Sequence, residues 1–105
     1  MIAYKLLRQR KDGTLGPLFI NASQRVPVGE WLEAENHPTR GFAQRQGWHC
    51  TLTPNAPHLK LEPKGSKRVW AVVDVEDFEK YNRPESQGGT WVLAQRMKVI
   101  KTIGV

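Results

Sequence analysis

Arg68-Val69-Trp70-Ala71-Val72-Val73-Asp74-Val75 is the stretch on which the fold turns. It is rich in valine, holds Trp70, and puts apolar groups on both of its faces. That pattern predicts a strand covered on both sides, near the middle of a sheet. Downstream, Glu76 to Tyr81 reads as a short turn or helix with Phe78 and Tyr81 three apart, and Asn82 to Gly89 as a long polar loop. Thr90 to Ala94 and Met97 to Ile103 then close the chain as two strands, with a bend at Gln95-Arg96.

Upstream, Gly47-Trp48-His49-Cys50-Thr51 predicts a second central strand. Pro54 to Leu59 is too rich in proline for more than one helical turn, and Lys60 to Lys67 reads as an exposed basic loop. Ile2 to Arg8 predicts a strand with Tyr4, Leu6 and Arg8 on one face and Lys5 and Leu7 on the other. Lys11-Asp12-Gly13-Thr14 is a hairpin turn centred on Asp-Gly, and Leu15 to Ile20 is the return strand, with Pro17 at its start or edge. Glu30 to Glu35 holds good helix formers yet alternates weakly, which favours a short strand or extended segment. His37 precedes Pro38 and is thereby pushed into an extended conformation. The expectation is a single small α+β domain over residues 1–105. It is mostly a bent or split antiparallel sheet, with one or two short helices.

Composition bounds the function. A chain of 105 residues with 39% hydrophobic residues and four tryptophans has one thin core and is not disordered. A single cysteine makes no internal disulfide, and no apolar run serves as a signal peptide or bilayer span. A cytoplasmic location is expected, and no membrane partner. The formal net charge is +6, unevenly spread. Residues 1–68 carry eleven Lys/Arg against five Asp/Glu, residues 69–91 two against five, and residues 92–105 three against none. Two charged faces fit this bipolar pattern better than a uniform nucleic-acid clamp.

Two stretches are candidate sites. On a strand His49 and Cys50 point to opposite faces, so a buried Cys50 leaves His49 toward a cleft, with Tyr4 or Arg8 as neighbours. The same geometry argues against a Cys–His nucleophilic pair and against a zinc site built from His37, His49, Cys50 and His58. The second stretch is Arg83-Pro84-Glu85-Ser86-Gln87-Gly88-Gly89-Thr90-Trp91. Its paired glycines let a ligand approach the backbone and supply amide donors, and Glu85 has the chemistry of a general base or a ribose clamp. Against these readings stand a structural histidine held by a backbone carbonyl and a surface turn whose glycines serve the turn alone. The basic residues Arg8, Arg10, Lys11, Arg40, Arg45, Lys60, Lys64, Lys67 and Arg68 form either a solvated face or a rim that attracts phosphate.

Together, Gly47 to Thr51 and Arg83 to Trp91 resemble a family of small bacteriophage and prophage proteins. The resemblance covers nearly the whole chain and brings no activity with it. The order of elements also resembles, more distantly, the ADP-ribosyltransferase-like fold. That likeness sets a first strand ending in Arg8, a Gly47-to-Leu59 strand and turn, and a glutamate-bearing loop before the last strands. It implies a transferase using NAD, with Arg8, His49 and Glu85 as its catalytic residues. In that fold the glutamate stands at the entrance to the penultimate strand, where this chain has Gly88-Gly89-Thr90.

Three functions follow as expectations. The first is a non-enzymatic binding protein, without metal or cofactor, for a nucleotide-like anionic ligand or a host protein. Tyr4, Arg8, Arg45, His49, Glu85, Gln87, Gly88 and Thr90 would line its site. The second is the NAD-using enzyme. The third is a nucleic-acid-binding accessory protein that works through the basic loops. Ligand, host target and oligomeric state are not specified by the residues.

Overall fold

The computed structural model describes residues 1–16, 25–34, 47–54 and 67–103. Six strands run through them: β1 (Ile2–Gln9), β2 (Leu15–Gly16), β3 (Trp31–Glu33), β4 (Trp48–Thr51), β5 (Lys67–Asn82) and β6 (Thr90–Ile103). A one-turn 3-10 helix, Glu85–Gln87, joins the last two. All strand pairings are antiparallel.

The β5–β6 hairpin is the frame. It pairs from Trp70↔Ile103 to Asn82↔Thr90, with one irregularity between Val72 and Val73. β1 lies along the first half of β5, from Ile2↔Asp74 to Gln9↔Lys67. β4 pairs with β6 from Trp48↔Ala94 to Thr51↔Trp91, and touches β1 at Tyr4↔Thr51. The pairings β1–β5–β6–β4–β1 therefore form a closed circuit. Closure leaves few strand edges exposed, which suits a small antiparallel sheet. β2 extends β1 at Gln9↔Leu15, and β3 extends β6 at Leu32↔Met97.

The enclosed face is apolar because alternate residues of every strand turn inward. Ala3, Leu7, Cys50, Ala71, Val73, Val92, Ala94, Met97 and Val99 are all fully buried there. Each buried Val or Leu contributes roughly 1.5–3 kcal/mol of transfer free energy. A second cluster lies on the opposite face: Leu6, Trp70 and Trp91, flanked by Tyr4, Tyr81 and Ile103.

The sequence reading needs two corrections. Glu76 to Tyr81 is neither turn nor helix but the second half of β5, held by Phe78↔Ala94 and Tyr81↔Trp91. Cross-strand pairing with β6 outweighs the local preference of a six-residue window. β6 is one strand rather than two. Glu76↔Arg96 pairs straight through the expected bend, and the irregularity falls near Ile100 instead. Among the described residues the only helical element is the single 3-10 turn Glu85–Gln87, so these residues are almost wholly strand. The predicted turn at Pro54–Leu59 lies mostly outside the described residues, as do positions 17–20 of the return strand. Among the described residues no helix is long and apolar enough to cross a membrane.

Candidate functional site

β4 is short and half-apolar, and its alternation separates His49 from Cys50 as expected. Cys50 is fully buried in the enclosed core, and His49 is half-buried on the other face. Burial pushes the Cys50 thiol up to about 11, because a thiolate is poorly solvated there. Its S–H lies 3.7 Å from the Trp48 carbonyl. This is an inert, structural thiol.

The partner of His49 is one the sequence reading missed. His49 Nδ1 and the Tyr81 hydroxyl are 2.7 Å apart, with the two rings meeting edge to face at 5.9 Å. The ring's other nitrogen is buried. The sequence hides Tyr81 because Glu76 to Tyr81 has the local pattern of a short turn or helix. Read as a strand, the same residues place Tyr81 opposite Trp91, which is flanked on its other side by Thr51 of β4.

From Tyr81 the contacts continue into the glycine-bearing loop. The Arg83 guanidinium stacks 4.3 Å over the Trp91 ring, within cation–π range. Arg83 Nε donates to Gln87 Oε1 at 3.0 Å, and Trp91 Nε1 donates to the Gln87 carbonyl at 2.7 Å. The loop amides expected to meet a ligand are engaged within the turn itself. Gln87 N and Gly89 N donate to the Pro84 carbonyl, and Gly88 N to the Glu85 carbonyl. Gly88 and Gly89 have φ of 99° and 76°, so here the glycines serve the turn.

The other predicted residues are placed as follows. Tyr4 pairs with Thr51, two residues along β4 from His49. Thr90 caps the hairpin end, its hydroxyl donating to Asn82 Oδ1 at 3.3 Å. Glu85 is exposed in the first turn of the 3-10 helix. Arg8 sits four residues, about 13 Å, along β1 from Tyr4. There it pairs with Arg68 of β5 and Gly16 of β2. The structure thus links His49 to the Gln87 turn through Tyr81 and Trp91, and sets Arg8 apart toward the far end of β1. Arg45, His37 and His58 lie outside the described residues. Among the described residues no group of three metal-ligating side chains occurs.

A further unforeseen residue is Lys5. It sits between Ala3 and Leu7 on the enclosed face, a placement already implied by the predicted pairing of Lys5 with Leu7. Its ammonium donates to the His49 carbonyl at 2.8 Å and lies 5.9 Å from the centre of the Trp48 ring. Burial lowers its pKa, and the nearby Cys50 thiol partly opposes that shift. β1 and β4 share a single bridge, so Lys5 supplies a side-chain tie where the ladder gives out.

Fold and site together define a small closed antiparallel sheet with a hydrogen-bonded imidazole–phenol pair and a stacked Arg–Trp pair on its outer face. No family model, curated protein or solved structure matches the chain.

Proposed function

We propose that this is a non-enzymatic binding protein of the small phage or prophage kind, whose ligand is nucleotide-like and anionic. The single observation behind this reading is the 2.7 Å contact of His49 with Tyr81, on the face where Arg83 stacks on Trp91. Imidazole and phenol supply hydrogen bonds in either direction, the aromatic rings supply stacking surface, and the guanidinium supplies charge for a phosphate. A transferase would need a carboxylate at the imidazole. His49 meets the Tyr81 phenol, and Glu85 stands exposed on the turn.

The test is a titration of the protein with AMP, ADP, cyclic AMP, ADP-ribose and NAD, followed by thermal shift and calorimetry. Tyr81→Phe removes one hydroxyl and should weaken binding about five- to tenfold, the worth of one net hydrogen bond. Arg83→Ala should weaken the phosphate-bearing ligands more than the free nucleosides. A flat thermal-shift series with the unmodified protein would overturn the reading, because binding to the native state must raise the melting temperature. Steady turnover of NAD would overturn its non-enzymatic part.

A further inference from the structure

Tyr81 has two different kinds of neighbour on the outer face. Its hydroxyl lies 2.7 Å from His49 Nδ1, and the two rings meet edge to face at 84°. Across the hairpin it stands directly opposite Trp91, and its ring packs against the cluster of Leu6, Trp70 and Trp91. Side chains directly opposite on one face of an antiparallel pair have Cβ atoms about 5 Å apart. Tyr81 therefore joins an imidazole to two tryptophans that are each only 5% exposed.

These are the parts of a proton-coupled electron transfer. Indole and phenol rings give up one electron more readily than aliphatic side chains. A phenol that has lost an electron is a very strong acid, so its oxidation is favoured where a base already holds its hydrogen bond. With the ring proton on Nε2, His49 Nδ1 is such a base, since a phenol is the better donor and an imidazole nitrogen the better acceptor. Nε2 itself is buried, so the proton stays within the pair. Trp91 is placed differently. Its Nε1–H donates to the Gln87 carbonyl, which is a poor base, and the Arg83 guanidinium lies 4.3 Å over its ring. A cation seated on the electron-rich ring face opposes a second positive charge there. A hole on Trp91 is thus less stable than one on Tyr81.

We propose that Tyr81 and His49 form a trap for one-electron oxidants, an activity that needs no bound ligand. An oxidising radical takes an electron from Trp91 or Trp70 and is itself reduced to its anion. The tryptophan then recovers an electron from the Tyr81 phenol. In that step the phenolic O–H bond breaks and an N–H bond forms on His49 Nδ1. A neutral phenoxyl radical remains, beside an imidazolium that keeps the proton next to the oxygen it came from. This activity goes beyond nucleotide binding, so a silent nucleotide titration leaves it standing.

The experiment is pulse radiolysis of the full chain with azidyl radicals, following the tryptophanyl and tyrosyl absorption bands. The tryptophanyl band should decay as the tyrosyl band grows, at a rate independent of protein concentration and slower in D2O than in H2O. Tyr4 and Tyr81 are the two tyrosines of the chain. Tyr4→Phe should therefore keep the tyrosyl band, and Tyr81→Phe should lose it. His49→Gln presents no comparable base and should slow the transfer on the order of a hundredfold, the usual worth of a positioned base. Its urea midpoint is read alongside, and the isotope effect in the unmodified protein tests the proton step without any substitution. A tyrosyl band that survives in Tyr81→Phe, or a transfer equally fast in D2O, would overturn the trap. So would an unchanged rate in a folded His49→Gln.

Discussion

Replacing Cys50 with alanine should change how stability depends on alkaline pH, in a direction the structure fixes. The thiol is fully buried, and burial raises its pKa from the ordinary 9.0 to about 11. Between those values the unfolded chain has lost the proton while the folded chain keeps it. Stability from this source is therefore fully present below about pH 9 and drains away as pH rises through about 11. At about 1.4 kcal/mol per pKa unit, the loss is on the order of 1 kcal/mol by about pH 10 and a few kcal/mol at higher pH. Cys50→Ala lacks this contribution and costs on the order of 1 kcal/mol at neutral pH through the lost sulfur packing. The two proteins should differ near pH 8 and converge near pH 10. Urea unfolding under reductant, followed by tryptophan fluorescence, reads this as a convergence of midpoints by roughly 1 M. A gap that stays constant across the range would show that the thiol is not sealed in the core, and the enclosed face assigned here would be wrong.

Lys5 titrates in the opposite sense, since its folded pKa is lowered from 10.5. Its contribution to stability rises with pH toward 10.5, so Lys5→Met should lose stability more steeply than the parent as pH rises toward 10.5 in the same urea series. Gly47→Ala should cost about 2–3 kcal/mol. Gly47 has φ of 146°, and a Cβ there would come within 2.5 Å of Leu93 Cδ1 and 3.1 Å of the Ala94 carbonyl. The urea midpoint measures it, and an unchanged midpoint would show that β4 and β6 are packed otherwise. Asp12 is held at about 2, chiefly by its hydrogen bonds from Thr14. An NMR titration of its carboxyl should therefore show a midpoint far below the ordinary 3.8. Thr14→Ala should move the midpoint back up, and an ordinary value in the parent would dissolve the turn geometry.

Much of the sheet was legible because its strands declare themselves by side-chain type. Valine density marked the first half of β5, Asp-Gly marked the β1–β2 turn, and alternation marked β1 and β4. The second half of β5 was hidden for a physical reason. Glu76, Asp77, Glu79 and Lys80 lie in an almost wholly exposed stretch, so no hydrophobic period announces it, and Asp77 takes φ of 51° in mid-strand. Such charged, irregular strands are how exposed edges avoid pairing with other chains. Missing that half of the strand also hid Tyr81, and with it the hydrogen-bond partner of His49. The glycine pair near Trp91 was visible as a turn. That its amides would be consumed by Pro84 and Glu85 depends on a 3-10 geometry no composition rule specifies.

The position of His49 rests on the interior. β4 is four residues long, is firmly laddered to β6, and is joined to β1 through one bridge. Such a seam opens readily unless something else closes it, and Lys5 does so by reaching from β1 to the His49 carbonyl. A buried ammonium is an expensive tie, since desolvation works against its charge, and an apolar side chain would fill the same space at less cost. An apolar side chain gives the carbonyl no donor, however. The β4 backbone would then be held to β1 only at its far end, by the Tyr4–Thr51 bridge and the bond from the Thr51 hydroxyl to the Tyr4 carbonyl at 3.3 Å, and the imidazole end would be less firmly placed. The core lysine and the outer-face histidine are thus two ends of one device: stability is spent inside the sheet to hold the geometry of a polar pair outside it.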